Sequence, residues 1–137
     1  MSDLNDAMVI AAKGMKAQGT RMKVISENIA NSSTTGKTPG EEPYRRQLVT
    51  FKNIMNRKED LTHVKVDKIV TDNSAFTLKY DPSQPAADES GYVKQPNVNT
   101  LVEMMDMKEA QRSYEANLGM IEISRSMLMR SVDLLRQ

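Results

Sequence analysis

No cysteine and no tryptophan occur in these 137 residues, and there are only two phenylalanines and one histidine. Without cysteine no disulfide framework can form, and with a single histidine no His/Cys zinc cluster is available. The absence of thiols fits a cytoplasmic chain and equally an exported one that must never be locked by a disulfide. An excess of either charge is missing as well. The 19 basic residues meet 18 acidic ones, so neither a nucleic-acid patch nor a polybasic membrane anchor is expected. Long hydrophobic runs are absent. The longest, Ala7 to Ala12, is far too short to cross a membrane, and no direct membrane insertion is expected. Asp3 and Asp6 stand where a secretory signal would be cationic, so no cleaved signal is expected either.

Methionine is abundant, with 11 residues. A core rich in Met and poor in aromatics adapts its shape easily and suits packing against several neighbours. The methionines are also spaced. At 1, 8, 15 and 22 they recur every seven residues, Ile29 extends the row, and Leu4, Ala11, Gln18 and Ile25 form a companion row. This predicts a helix over residues 1–31, about 40 Å long. Gly14 and Gly19 weaken it by roughly 1 kcal/mol each relative to alanine but let another backbone approach closely. The run Asn31-Ser32-Ser33-Thr34-Thr35-Gly36 then ends it.

A second helix, about 55 Å long, is predicted from about Val98 to Leu135. Its alternating seam runs through Met104, Met107, Gln111, Tyr114, Leu118, Ile121, Arg125, Leu128, Val132 and Leu135. Thr100 with Glu103 forms a capping-box pattern at its start. Met105, Ala116, Met120, Ile123, Met127 and Leu134 widen the apolar stripe beyond what one partner helix covers. Polar residues within the seams, Gln18, Gln111 and Arg125, are candidates for fixing register.

Between the helices the chain is β-prone. Strands are expected at Tyr44–Phe51, around Val64–Val70 and over Phe76–Tyr80, the last with Phe76, Leu78 and Tyr80 on one face. A short final strand is expected at Gly91–Val93, and Lys52–Asp60 reads as loop or one turn of helix. The fold class is therefore α+β. Long N- and C-terminal helices pair as an antiparallel coiled coil, and a small antiparallel β domain is inserted between them. The corresponding segments are 1–36, 37–96 and 97–137.

Chemistry-bearing constellations are hard to find. His63 alternates with Val64 and Val66 and so is expected on the solvent side of its strand. Glu41-Glu42 and Glu59-Asp60 sit in charged loops, and no phosphate loop or nucleophile–base pair is present. No catalytic residue, cofactor site or metal site is expected. Two rival classes stay open on the residues alone. One is a cytoplasmic coiled-coil adaptor with a β insert, the other a small enzyme centred on His63 and Arg45.

Two segments are more specific. Ile25-Ser26-Glu27-Asn28-Ile29-Ala30-Asn31, followed by Thr34-Thr35-Gly36, resembles the N-terminal signature of bacterial flagellar axial proteins, the rod, hook and hook-associated family. Gly91-Tyr92-Val93-Lys94-Gln95-Pro96-Asn97-Val98-Asn99, then Glu103-Met104 and Arg112-Ser113-Tyr114-Glu115-Ala116-Asn117, is similar to the C-terminal signature of its rod subfamily. The Tyr44-Arg45-Arg46 step and the short middle region match a proximal rod protein, whereas Thr38-Pro39-Gly40-Glu41-Glu42 is an insertion.

The resemblance implies a structural subunit of the basal-body rod that spans the periplasm. It would leave unfolded through the flagellar type III export apparatus and polymerise with copies of itself and other flagellar rod proteins. Another axial subunit is the nearest alternative within the family. The resemblance further implies that the terminal helices pair and pack against neighbours. Met8, Met15, Met22, Ile25 and Ile29 would then face Tyr114, Leu118, Ile121, Leu128, Val132 and Leu135, within or between subunits. Asn28 and Asn31 are expected to satisfy backbone groups where the first helix ends or to reach a neighbour, and Tyr114 and Asn117 to do similar work on the second helix.

Overall fold

The computed structural model describes residues 2–136. Met1 of the methionine row and Gln137 of the last segment lie outside the described residues. In chain order the elements are α1 (Ser2–Ala30), β1 (Gln47–Asn56), β2 (Leu61–Thr71), β3 (Thr77–Tyr80), β4 (Tyr92–Gln95) and α2 (Thr100–Arg136). The fold is α+β, as expected. α1 and α2 are in contact and antiparallel, since Gly14 lies against Asn117, Arg21 pairs with Glu109 and Asn28 bonds Glu103. At 1.5 Å per residue they are about 43 and 55 Å long.

The β region forms two sheets of two strands each, β1 with β2 and β3 with β4. The stretch expected as loop or helix from Lys52 is strand as far as Asn56. A hairpin turn follows, in which Glu59 N–H donates to the Asn56 carbonyl and Asp60 takes φ 51°. A tight turn ending in a left-handed residue matches the twist of the flanking strands. Lys52 and Asp67 pair across the hairpin at 3.2 Å.

The chain divides into two compact units. One holds residues 1–22, 49–68 and 108–137, the other 23–48 and 69–107. In the first, the buried residues of α1 are Ala11, Gly14 and Ala17, and those of α2 are Ala110 and Ser124. They are small, so the helices approach closely there. A Cβ on Gly14 would come within 2.8 Å of the Asn117 side chain. In the second unit the core is Val24, Ile25, Val93 and Ala86, with Pro43 and Pro96 buried beside them.

The buried stripe of α2 runs Glu103, Met107, Ala110, Tyr114, Asn117, Ile121, Ser124, Leu128 and Ser131, each buried or half-buried. It shares Met107, Tyr114, Ile121 and Leu128 with the expected seam. At the alternate positions it lies one residue earlier, at Ala110, Asn117, Ser124 and Ser131. Small side chains permit the close approach, and the larger Leu118 and Val132 are left at the edge, 39% and 40% exposed.

β3 and β4 pair antiparallel with Tyr80 opposite Tyr92, and their rings meet edge to face at 5.4 Å. Gly91 at φ 86° leads into β4, a backbone conformation that side chains disfavour, with the Tyr80 ring 2.8 Å from where a Cβ would stand. The face expected to carry Phe76, Leu78 and Tyr80 is mostly open. Only Phe76 is partly covered, by the Arg45 guanidinium 4.3 Å above its ring. Leu78 and Tyr80 stay more than 60% exposed, because a two-stranded sheet has nothing to lay over them.

Candidate functional site

Within the second unit a polar cluster ties the end of α1 to the start of α2. Asn28 sits on the inner face of α1, three residues after Ile25, and is 1% exposed. Its Nδ2 donates to the Gln47 carbonyl at 2.8 Å and to Glu103 Oε2 at 3.3 Å. Its Oδ1 accepts from the Tyr44 hydroxyl at 2.7 Å and from Gln47 N–H at 3.0 Å. Every polar function of the side chain is used, which a buried amide requires. Asn28 therefore satisfies backbone groups of the incoming strand β1 and not of its own helix end. The helix end belongs to Asn31, whose Nδ2 donates to the Glu27 carbonyl and whose Oδ1 accepts from Thr34.

Glu103 is fully buried and its carboxylate is ion-paired with Arg46 Nε. The same guanidinium reaches Asp72 at 3.4 Å and Asp106 at 3.5 Å. A buried carboxylate is tolerated only when so paired. Burial alone would lower the Arg46 value, but the hydrogen bond and charge of Glu103, and then those of Asp72, outweigh it and raise it. Burial, followed by the charges of Glu27 and Glu103, pushes the Tyr44 hydroxyl up and keeps it a donor toward Asn28. Asn97 completes the cluster. Its Oδ1 accepts from Arg46 N–H at 2.7 Å, and its Nδ2 donates to the Asp72 carbonyl at 2.9 Å.

The capping box expected at Thr100 is replaced. Asn99 caps α2, its Oδ1 accepting from the N–H groups of Leu101 and Val102, and Glu103 is thereby free to turn inward. Arg46, Asp72, Asn97 and Asn99 were not singled out as site residues from sequence. The available signal was a glutamate in phase with the buried stripe of an amphipathic helix, a position that demands a cation. Which cation depends on a contact 57 residues away in sequence.

The other expected site residues fall as follows. Ile25 is buried, and Met8, Met15, Met22 and Ile29 are half-buried. Tyr114, Asn117, Ile121 and Leu128 lie half-buried on the α2 stripe, whereas Leu118, Val132 and Leu135 are exposed, the last at 76%. Gln18 keeps a buried side-chain oxygen that has no hydrogen-bond donor among the described residues. His63 is half-buried, not on the open side of its strand, and lines a cleft of about 350 Å3 against α1. Among the described residues no group of His, Asp or Glu is arranged to hold a metal ion.

Both helices with their flanking turns match known families. Residues 8–36 match the family described as flagella basal body rod protein, and residues 89–134 the one described as flagellar basal body rod FlgEFG protein C-terminal. Paired terminal helices bearing these two signatures, with a β insertion between them, define a rod-type structural protein of the bacterial flagellum. The flagellar basal-body rod protein FlgC of Agrobacterium fabrum is 48% identical over 99% of this chain and 98% of its own length. Those of Bacillus subtilis and Salmonella typhimurium are 39% and 36% identical, each over 91% of this chain and covered over 93% and 92% of their own lengths. The chain belongs to the FlgC family of flagellar basal-body rod proteins and is a structural subunit of the rod.

Proposed function

We propose that this subunit works by polymerisation. It leaves the cell unfolded through the flagellar type III export apparatus, then packs against copies of itself and other rod proteins in the shaft that spans the periplasm. Segments 1–36 and 97–137 serve as the assembly helices and 37–96 as the inserted β domain. Met8, Met15, Met22, Ile25, Ile29, Tyr114, Ile121 and Leu128 hold the pair together. Leu118, Val132 and Leu135 meet neighbours. No catalysis, nucleic-acid binding or membrane insertion enters this reading.

One observation carries it. The small-residue stripe of α2 faces inward, and large apolar side chains are left outside along one flank, among them Met105 at 64%, Met120 at 50%, Ile123 at 55%, Met127 at 50% and Leu134 at 72% exposure. Exposed apolar surface of this extent on one element marks an interaction face. Covering the exposed half of five such side chains contributes on the order of 5 kcal/mol before the losses of association.

The test is Met127→Asp. Because Met127 is exposed, the isolated chain should fold with unchanged stability and be exported, yet fail to enter the rod, leaving cells non-motile. Normal swimming of cells that carry only the Met127→Asp variant would refute assembly through this face.

A further inference from the structure

The cleft beside His63 has features that the paired helices do not explain. Its one wall is α1, with Lys13 and Lys16 exposed at the rim; the other is the β1–β2 hairpin, with Lys65 at its edge. The floor is apolar, built from Ala17, Ile54 and Val66. No acidic residue stands among the described lining, and none of the three lysines has an ion-pair partner among the described residues. A cationic rim around an apolar trough fits an amphipathic segment with carboxylates on either side of an aliphatic residue.

The chain carries such a segment itself. Glu115, Leu118, Gly119 and Glu122 are spaced i, i+3, i+4, i+7 and so share one face of α2. Glu115 and Glu122 are exposed, neither is ion-paired among the described residues, and about 10.5 Å of helix separates them. The α1 wall of the cleft extends over the same length, from Lys13 to Thr20. Between the two glutamates stands Gly119. A glycine inside a helix is unfavourable relative to alanine, and among the described residues beyond its own helix turn nothing lies within 4 Å of where its Cβ would be. Gly14 has an intrachain reason to lack a side chain, in Asn117; Gly119 has none.

We propose that the cleft between α1 and the hairpin receives the Glu115–Leu118–Gly119–Glu122 face of α2 from a second copy. The carboxylates sit against Lys13, Lys16 and Lys65, Leu118 enters the trough, and Gly119 lets the two backbones close. The contact joins two unlike surfaces, so it repeats without closing on itself, as a helical lattice requires. The proposal rests on the polymerisation reading above, and it adds a defined charge register between copies.

A charge exchange tests it. In flagellated cells carrying the full chain, Lys16→Glu and Glu122→Lys are each expected to be exported and to abolish motility, since each puts like charges in contact. The two together in one chain are expected to restore swimming. Lys16→Arg and Glu122→Asp keep the charges and should swim, with the protein recovered in isolated rods. Absence of those conservative variants from the rod would count against polymerisation itself. Given their presence, motile single reversals overturn the charge register. Single reversals that the double variant fails to rescue also overturn it, because the cleft then serves another rod protein or none. As a direct check, cells expressing Lys16→Cys and Glu122→Cys as separate chains are treated with a short bis-maleimide. A cross-linked dimer is expected only in the mixture, because the natural chain has no cysteine, and assembled rods yielding no dimer would refute the contact.

Discussion

Replacing Asn28 by alanine removes a side chain that bonds simultaneously to α2, to the backbone of β1 and to Tyr44. Four hydrogen bonds disappear, with lengths from 2.7 to 3.3 Å. Each ordinary bond contributes about 1 kcal/mol net, and a buried group left without its partner costs about 1–3 kcal/mol. Glu103 retains Arg46, so its loss is small, and the half-buried Tyr44 can turn toward water. The Gln47 N–H and carbonyl lose their side-chain partner at a position closed to bulk solvent, since Asn28 is 1% exposed. The expected cost is therefore about 3–5 kcal/mol, a large share of the ~5–15 kcal/mol that holds a typical domain together. Urea unfolding of the purified chain should show the midpoint falling by about 2 M. Asn28→Asp separates hydrogen bonding from charge. It keeps the acceptor for Tyr44 and Gln47 N–H but sets a carboxylate beside Glu103. Two like charges side by side disfavour ionisation in the folded state, so stability of that variant should fall as pH rises above the ordinary carboxylate range and recover on acidification. A loss below about 1 kcal/mol for Asn28→Ala, or a pH-independent Asn28→Asp, would refute the role assigned to this residue.

Two further outcomes follow from the same geometry. The Asp72 carboxylate is held below the usual range, first by Ser74 N–H at 2.8 Å, then by the Ser74 hydroxyl and Arg46. Its contribution is present above the ordinary carboxylate range and is lost as pH falls through its lowered value, so Asp72→Asn should flatten the acid limb of the stability profile; an unchanged acid limb in pH-dependent urea titrations would refute this. Gly119→Ala should stabilise the isolated chain by up to about 1 kcal/mol, since nothing among the described residues opposes the added methyl. If a neighbour's backbone closes on that position, the same substitution should reduce the amount of subunit recovered in isolated rods, and undiminished recovery would contradict the close approach.

Much of this protein is decided locally. Methionines seven apart, the turn-forming run from Asn31 to Gly36 and the sustained apolar period after Thr100 are short-range properties. Backbone propensity and side-chain periodicity act within a few residues, so both helices stand within a residue or two of where the sequence places them. The two signatures at Ile25–Gly36 and Gly91–Asn117 likewise lie within single elements and their turns, and the family is legible from them. Which flank of the α2 stripe turns inward is not local. The apolar arc is wider than one partner helix, and close approach selects Ala110, Ser124 and Gly14 for the inside, leaving bulkier Leu118 and Val132 at the margin. Glu103 shows the same limit. In sequence it completes a capping pattern with Thr100, but Asn99 takes the cap, and Arg46 and Asn28, distant in the chain, supply what a buried carboxylate needs. The cleft at Lys13, Lys16 and Lys65 exists only because the hairpin folds against α1. Its charge register arises from two segments that do not adjoin in sequence, and tertiary packing alone brings them side by side.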